Sequence, residues 1–115
     1  MRRGEIRWVD LDPARGAESN KRRPGVIVSN DGANTTASRL GSGVVTIVPV
    51  TSNVERIHPF QVLLTAEATG LAMDSKAQTE QVRSVAVQRV GDRIGNLGRS
   101  DLAELDEALR IHLAL

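Results

Sequence analysis

The sequence contains no cysteine, few aromatic residues and no long apolar run. Without cysteine the chain can form neither a disulfide nor a Cys-ligated zinc site, and it has no thiol nucleophile. With one Trp, one Phe and no Tyr, it cannot build a platform of several stacked rings for single-stranded nucleic acid. Its longest apolar run is too short to span a bilayer, and residues 1–5 lack the apolar stretch of a signal peptide. We therefore expect a soluble, cytoplasmic protein with no membrane contact and an aliphatic core.

Length and charge indicate one small domain with a basic front. The chain has 115 residues, 40% hydrophobic and 25% charged, which suits one globular unit over residues 1–115. The formal net charge is only +1. Residues 1–30 hold seven Lys/Arg against four Asp/Glu, whereas residues 98–115 hold two against four. The basic part could meet a polyanion, although asymmetry of this size is also common on ordinary surfaces.

Short β-rich runs separated by turn residues dominate the chain. Residues 43–50 (GVVTIVPV) are the longest β-branched run and disfavour helix. Residues 25–28 (GVIV) predict a buried strand that ends at the turn sequence SNDG. Further strands are predicted at residues 5–9, 61–64 and 81–85, and near 93–95. Short strands at near-regular spacing predict a closed or nearly closed antiparallel barrel.

Two polar, Gly-containing segments, residues 15–23 and 30–42, are predicted to be long loops, where function tends to lie. The last segment predicts a helix. Ser100 or Asp101 can cap it, and Asp101 with Glu104 has the spacing of a capping box. One helical face is apolar and contains Leu102, Leu105, Leu109 and Leu113.

Three polar clusters could support chemistry. Residues 16–24 (GAESNKRRP) combine a carboxylate with three consecutive cations, and an arginine there could hold two phosphate oxygens. Residues 48–53 (VPVTSN) end a strand in small polar side chains that could reach phosphates or base edges. Residues 78–84 (QTEQVRS) could present Glu80, Gln81 and Arg83 to a groove. The plainer interpretations are a solvated basic loop, a strand end, and a strand face with a cross-strand ion pair.

The two histidines do not suggest a catalytic pair. Many metal-free ribonucleases use one histidine as base and another as acid. Here His58 precedes Pro59 in a predicted loop, and His112 lies in the last turn of the predicted helix, where positive charge is favoured. Nothing in the sequence brings them together. Two histidines without clustered carboxylates also make a poor metal site.

Taken in order, these segments resemble the MazF/PemK family of toxin endoribonucleases (mRNA interferases) of type II toxin–antitoxin systems. The resemblance spans essentially the whole chain. It rests on residues 3–13 (RGEIRWVDLDP), 16–18 (GAE) with 23–30 (RPGVIVSN), 48–53 (VPVTSN), 58–62 (HPFQV) and 80–84 (EQVRS). Each block alone is weak, whereas five in this order are specific.

The resemblance implies an SH3-like antiparallel β-barrel with a C-terminal α-helix. It implies a homodimer that cuts single-stranded RNA at short sequences, without a metal ion or other cofactor, and arrests growth. The products would have 2′,3′-cyclic phosphate and 5′-hydroxyl ends. A cognate MazE-like antitoxin would thread a disordered tail across the dimer and block the RNA groove.

Carried over residue by residue, Arg23 and Thr51 match the family's catalytic Arg and Thr, and Glu18 matches an acidic loop residue implicated in some members. On this basis the predicted RNA-binding residues are Ser19, Asn20, Lys21, Asn30, Ser52, Asn53, Phe60 and Gln81. His58 stands where a Tyr is frequent, so stacking there is altered. Gln78 stands where some relatives have an acid-role Arg, which argues against a Gln78–Glu80 acid–base pair.

Two alternatives share the predicted fold. Gyrase-poisoning toxins of the same barrel bind a protein target and cut nothing, using residues near the end of the helix. Here residues 111–115 (IHLAL) are mainly apolar and are expected to pack, while the Arg23 and Thr51 blocks favour a ribonuclease. The second alternative is a silent RNA-binding or antitoxin-binding relative. RNA cleavage in EDTA would separate the three.

Overall fold

The polypeptide forms one antiparallel sheet flanked by helices. The computed structural model describes residues 1–12, 15–18 and 21–115, and within them seven strands and three α-helices follow one another. In order they are β1 Glu5–Asp10, β2 Arg22–Ile27, α1 Asp31–Leu40, β3 Val44–Thr51, β4 Gln61–Leu64, α2 Ala66–Thr69, β5 Ser75–Gln78, β6 Arg83–Ala86, β7 Val90–Asn96 and α3 Arg99–Leu113. Two 3₁₀ turns, Thr79–Gln81 and Val87–Arg89, precede β6 and β7. The predicted mainly β, antiparallel fold with a C-terminal helix is confirmed.

Strand β3 organises the sheet because it pairs along both edges. One edge pairs with β2, and the other pairs first with β6 and then with β5. The strand order is β4-β5-β3-β2-β1-β7, with β6 beside β5 along β3. Within the described part of the chain β4 and β7 do not pair, so of the closed or nearly closed barrel predicted from strand spacing the sheet forms a loosely barrel-like version that is not closed.

Alternation of side chains along the strands produces a core on each face of the sheet. The larger core packs under α3 and includes Ile6, Val26, Val48, Val50, Val62, Leu64, Ala77, Leu105 and Ala108. The smaller core packs under α1 and includes Val9, Leu11, Ile27, Ala37, Val45, Ile47 and Val85. Aliphatic residues therefore fill both cores, as the composition required.

Helix α1 replaces the long loop predicted over residues 30–42. The sequence SNDG is a helix start and not a hairpin turn, because Asn30 Oδ1 accepts a hydrogen bond from the Ala33 N–H at 2.8 Å. The helix ends at Gly41, whose φ of 64° is left-handed. Only Asn34 and Ala37 are buried in it. The helix therefore lacks the apolar period that would have revealed it in the sequence.

Helix α3 begins earlier than predicted. Its N-cap is Gly98, which makes no side-chain capping bond, so Ser100 and Asp101 lie inside the first turn. Leu105 is buried, and Leu102 and Leu109 pack against the same core. The end of the helix does not pack as expected: the exposed fractions of Ile111, Leu113 and Leu115 are 50%, 49% and 86%. None of the helices in the described ranges is long and apolar enough to cross a membrane.

The region around β5 and β6 differs from the prediction in two ways. The strand predicted at residues 81–85 begins only at Arg83, since Thr79–Gln81 form a 3₁₀ turn. Strand β5 was not predicted at all. Its buried residues include Ser75 and Lys76. These polar side chains interrupt the alternation of apolar and polar residues that normally predicts a strand.

Candidate functional site

Arg23 and Thr51 belong to the same face and the same end of the sheet. The β2–β3 register pairs Gly25 with Pro49. The pairing of β2 with β3 ends there, and continuing the alternation of side chains by two residues along each strand places Arg23 and Thr51 on the same face. Arg23 also pairs with Val9 of β1, whose side chain lies in the core under α1. Helix α1 connects the end of β2 to the start of β3 and covers that part of the face. The part that contains Arg23 and Thr51 is not covered by α1.

The Thr51 hydroxyl has its oxygen engaged by the chain that follows. Thr51 Oγ1 accepts a hydrogen bond from the Asn53 N–H at 3.3 Å, and Asn53 Oδ1 accepts one from the Glu55 N–H at 3.2 Å. These two short-range bonds shape the start of the 52–60 loop, which joins β3 to β4. A hydroxyl that accepts in this way can still donate its proton, so Thr51 can bind an anionic oxygen.

The segment 15–18 forms a turn that a hydrogen bond from Gln81 connects to the rest of the fold. Glu18 Oε1 accepts from the Arg15 N–H at 2.7 Å, and the Glu18 N–H donates to Arg15 O at 3.1 Å. Gly16 permits this turn through its φ of 58°. Gln81 Nε2 donates to Ala17 O at 3.0 Å, which ties the loop to the 3₁₀ turn before β6. Two polar clusters that are far apart in the sequence thus meet.

Lys21 enters β2 with a strained backbone. Its φ is 64°, a left-handed value that few residues other than glycine adopt. Its N–H donates to Asp12 Oδ1 at 2.8 Å, and its carbonyl accepts from the Leu11 N–H at 2.9 Å. Strain of this kind is frequent at functional sites. Ser19 and Asn20, which were also predicted to bind RNA, lie outside the described residues.

Arg83 also lies on this face. From the sequence it could face a groove together with Glu80 and Gln81, but it was not assigned to the RNA site. It pairs with Ile47, so it projects from the same face as Arg23 and Thr51. Its Nη1 atom is buried and has no hydrogen-bond partner among the described residues, and the same holds for Glu80 Oε1. The cross-strand ion pair considered for this segment is not formed in the described part of the chain. Register was the missing information, because spacing alone does not assign Arg83 to a face.

Glu80 is held by the neighbouring strand. Its Oε2 accepts from Gln61 Nε2 at 2.7 Å, and Gln61 Oε1 accepts from the His58 N–H at 3.0 Å. This chain of bonds connects the 3₁₀ turn to the far end of the 52–60 loop. Glu80 is therefore positioned by Gln61 and not by Gln78.

The two histidines contact the same ring. His58 stacks on Phe60 with centroids 5.1 Å apart and planes 6° from parallel, and His112 approaches Phe60 at 6.2 Å. This shared contact was not predicted from the sequence. No ring contact within the described ranges joins the histidines directly, so Phe60 separates a potential base from a potential acid. The cluster couples the 52–60 loop to the end of α3.

An open pocket of about 570 Å³ adjoins the end of the sheet where Arg23 lies. Its apolar wall includes Trp8, Pro24, Val50, Leu71 and Met73, and its cations are Lys21, Arg22, Arg23 and Arg93. The Arg22 guanidinium lies 4.8 Å from the Trp8 ring centroid, a cation–π contact. Ser52 also lines the pocket, so it adjoins the Arg23–Thr51 end of the sheet.

One ionisable pair sits at the other end of the α1 face. Glu5 is buried and accepts hydrogen bonds from Arg7 Nε at 2.9 Å and from the Arg2 N–H at 2.8 Å. Burial raises the pKa of Glu5, but the hydrogen bonds from Arg7 and Arg2 outweigh this effect and hold the pKa below its ordinary value of 4.5.

Across residues 1–12, 15–18 and 21–115 no group of three or more His, Asp and Glu side chains could hold a metal ion.

The sequence matches a known family along nearly its whole length. The family described as "PemK-like, MazF-like toxin of type II toxin-antitoxin system" matches residues 2–113. The chain belongs to this PemK/MazF family. It is 62% identical to Endoribonuclease MazF9 of Mycobacterium tuberculosis over 115 residues, covering 100% of this chain and 98% of that protein. It is 31% identical to Endoribonuclease EndoA of Bacillus subtilis, covering 100% and 96%.

Solved MazF structures share the fold. The crystal structure of MazF from Deinococcus radiodurans superposes with a TM-score of 0.83 at 24% identity, covering 100% of this chain and 97% of that one. An endoribonuclease from a Mycobacterial species, solved in complex with its cognate antitoxin, gives 0.78 at 21% identity, covering 100% and 96%.

The structure gathers some of the residues predicted from the PemK/MazF resemblance and separates others. One end of the sheet holds Arg23, Thr51, Ser52 and Asn53, and Lys21 directly precedes β2 there. Gln81 donates a hydrogen bond to Ala17 O, next to Glu18. Phe60 lies at the far end of the 52–60 loop. Asn30 lies beyond the opposite end of β2, where it caps α1.

Proposed function

We propose that this protein is a metal-independent endoribonuclease toxin that cuts single-stranded RNA at short sequences. It would act in the cytoplasm as a homodimer and be neutralised by a MazE-like antitoxin. The observation that carries the proposal is that Arg23 and Thr51 lie at the same end of the neighbouring strands β2 and β3, just beyond the Gly25–Pro49 pair, on a sheet that elsewhere is packed with aliphatic side chains. Relatives named endoribonucleases, and a Mycobacterial endoribonuclease solved with its cognate antitoxin, support it.

The reaction needs little from the protein besides alignment and charge. The ribose 2′-oxygen attacks the adjacent phosphorus and loses its proton, the bond from phosphorus to the 5′-oxygen breaks, and that oxygen gains a proton. The products are a 2′,3′-cyclic phosphate and a 5′-hydroxyl. Preorganised donors that meet charge as it develops on the phosphorane supply most of the acceleration.

Each side chain of the site has a role that its chemistry permits. The Arg23 guanidinium stabilises the phosphorane charge and can contact two phosphate oxygens. Its assigned role is electrostatic stabilisation and not proton transfer. The Thr51 hydroxyl donates a hydrogen bond to a phosphate oxygen. Glu18 supplies a carboxylate on an exposed segment, and a carboxylate that accepts one bond at Oε1, here from the Arg15 N–H, can still accept a proton.

The remaining predicted residues would bind the RNA chain. Ser52 and Asn53 offer donors and acceptors for base edges, and Lys21 offers charge for the backbone. Gln81 would act partly through the Ala17 carbonyl that it holds. Ser19, Asn20 and Phe60 remain in this set on the family resemblance, and so does Asn30 despite its separation from Arg23.

A cleavage assay in EDTA tests the proposal. The wild-type protein should cut single-stranded RNA and leave 5′-hydroxyl ends, detected by labelling with a polynucleotide kinase. Arg23→Ala and Thr51→Val should each lower the rate by about 100-fold or more, as the loss of one preorganised donor does. Both should keep the wild-type circular dichroism spectrum and melting temperature.

Arg39→Ala is the matched control, because Arg39 is an exposed cation on α1, away from Arg23. It should cut RNA like the wild type. Near-normal cleavage by Arg23→Ala would remove Arg23 from the mechanism. A wild-type protein that inhibits gyrase and leaves RNA intact would support the protein-binding alternative instead.

A further inference from the structure

Lys76 is a buried cation beside the candidate catalytic threonine. The β3–β5 register pairs Thr51 with Lys76, so both side chains leave the same face of the sheet. Only 9% of Lys76 is exposed, and lysine is rarely this buried unless it is paired. No carboxylate among the described residues lies within the 4.0 Å that defines an ion pair with its ammonium group. Burial without a counter-charge is costly, so this position needs an explanation.

The bond that Lys76 makes identifies what it does. Its Nζ donates to Arg56 O at 2.6 Å, a short bond from a charged donor. Arg56 lies in the middle of the 52–60 loop. The other hydrogen bonds described for residues 53–57 are local, from the Asn53 N–H to Thr51 and from the Glu55 N–H to Asn53. Lys76 is therefore the long-range tether described for this part of the loop.

Burial does not hold the loop in its place. Residues 52–57 are all exposed, including the apolar Val54 and Ile57. The far end of the loop is fastened separately, by His58 and Gln61. Without the ammonium, the backbone around Arg56 would be fixed only by its covalent ends and two weak local bonds. A loop of this kind samples many conformations, and ordering it on a ligand costs free energy.

We propose that Lys76 is a positioning residue for RNA recognition, and this inference rests on the proposed function. Its ammonium holds the Arg56 carbonyl and so presets Ser52 and Asn53 relative to Thr51. Thr51 itself lies in β3 and is fixed by pairing with β5, so it does not depend on the tether. Losing the tether should therefore weaken substrate binding and base discrimination more than the chemical step.

Two substitutions of Lys76 and one control test the inference. Lys76→Met removes the charge and keeps the chain length, Lys76→Arg restores a donor, and Arg39→Met changes the same charge at an exposed position on α1. Each protein is assayed on an RNA oligonucleotide carrying a site mapped with the wild type, and on single-base variants of it. We expect Lys76→Met to raise KM by about tenfold, the typical effect of one charged hydrogen bond, and to leave kcat within about threefold.

The expected pattern extends to specificity and dynamics. The ratio of kcat/KM between the mapped site and its single-base variants should fall in Lys76→Met and recover in Lys76→Arg. Amide hydrogen exchange of residues 53–57 should be faster in Lys76→Met alone, with the melting temperature near that of the wild type.

Unchanged KM and discrimination in Lys76→Met would overturn the inference. A higher KM accompanied by a lower melting temperature and faster exchange throughout the sheet would also overturn it, because it would make Lys76 a residue of general stability. A wild-type protein that cuts no RNA would refute the proposed function itself, and this inference with it.

Discussion

The two ends of one sheet face differ sharply in character. Near the start of β3, Val45 and Ile47 pack with Ile27 under α1 and are fully or almost fully buried. Near its end, Thr51 pairs with Lys76, and Arg23 lies on the neighbouring strand β2, two residues beyond the last β2–β3 pair. The strands and their alternation are continuous between these ends. The difference arises from the connections, because the β2–β3 connection is a helix that covers one end only. We therefore expect stability to depend on the first end and activity on the second.

The largest effect on stability is expected at the apolar end. Ile47 is completely buried, so Ile47→Ala should lower the free energy of unfolding by about 2–5 kcal/mol through lost transfer energy and a cavity. Denaturant unfolding measures this. RNA cleavage should fall only in proportion to the folded fraction. The control is Leu40→Ala, because Leu40 is 65% exposed and should change stability little. A loss below about 1 kcal/mol for Ile47→Ala, or equal losses for both variants, would contradict the stabilising role assigned to the apolar end.

A smaller effect is expected at the start of the helix that covers the apolar end. Asn30→Ala removes the cap that accepts from the Ala33 N–H, which should cost about 1 kcal/mol. Asn30→Ser keeps a capping oxygen and should retain most of the stability in thermal or denaturant unfolding. Equal stability of Ala and Ser variants would show that the cap contributes nothing. A cleavage defect beyond the unfolded fraction in both variants would support the RNA contact predicted for Asn30.

The smallest effect is expected at Glu5, and it depends on pH. The pKa of Glu5 is lower in the folded than in the unfolded chain, so its ionised form favours folding above about pH 4.5, and this contribution is lost as pH falls through the folded pKa. Glu5→Gln should therefore be less stable than wild type near neutral pH, and the difference should shrink in acid. Unfolding midpoints in urea across this range measure it. A difference that stays constant with pH would mean that ionisation of Glu5 is not responsible.

The sequence predicted the elements whose local pattern agrees with their burial. The β-branched run in β3, the alternating β1 and the leucine face of α3 were predicted because their apolar periods match a strand or a helix. Helix α1 and strand β5 were not predicted. The reason is that α1 buries only Asn34 and Ala37, and β5 buries the polar residues Ser75 and Lys76. Where the buried positions of an element are polar or few, the sequence has no apolar periodicity from which that element could be predicted.

Motif order proposed a set of candidate site residues, but it did not predict how they are arranged. That Arg23 and Thr51 lie at the same end of neighbouring strands depends on the β2–β3 register, which local sequence does not specify. For the same reason the sequence did not predict which face Arg83 lies on, the position of Lys76 beside Thr51, or the contact of both histidines with Phe60. Contacts between distant segments follow from the topology as a whole.

The solitary indole under Arg22 gives this protein a built-in optical probe. Trp8 is the only tryptophan and the chain has no tyrosine, so its ultraviolet emission comes from a single, known position in the wall of the 570 Å³ pocket. Any molecule that displaces the guanidinium from that ring changes the fluorophore's surroundings directly, and occupancy of the pocket can be followed in real time without attaching a dye.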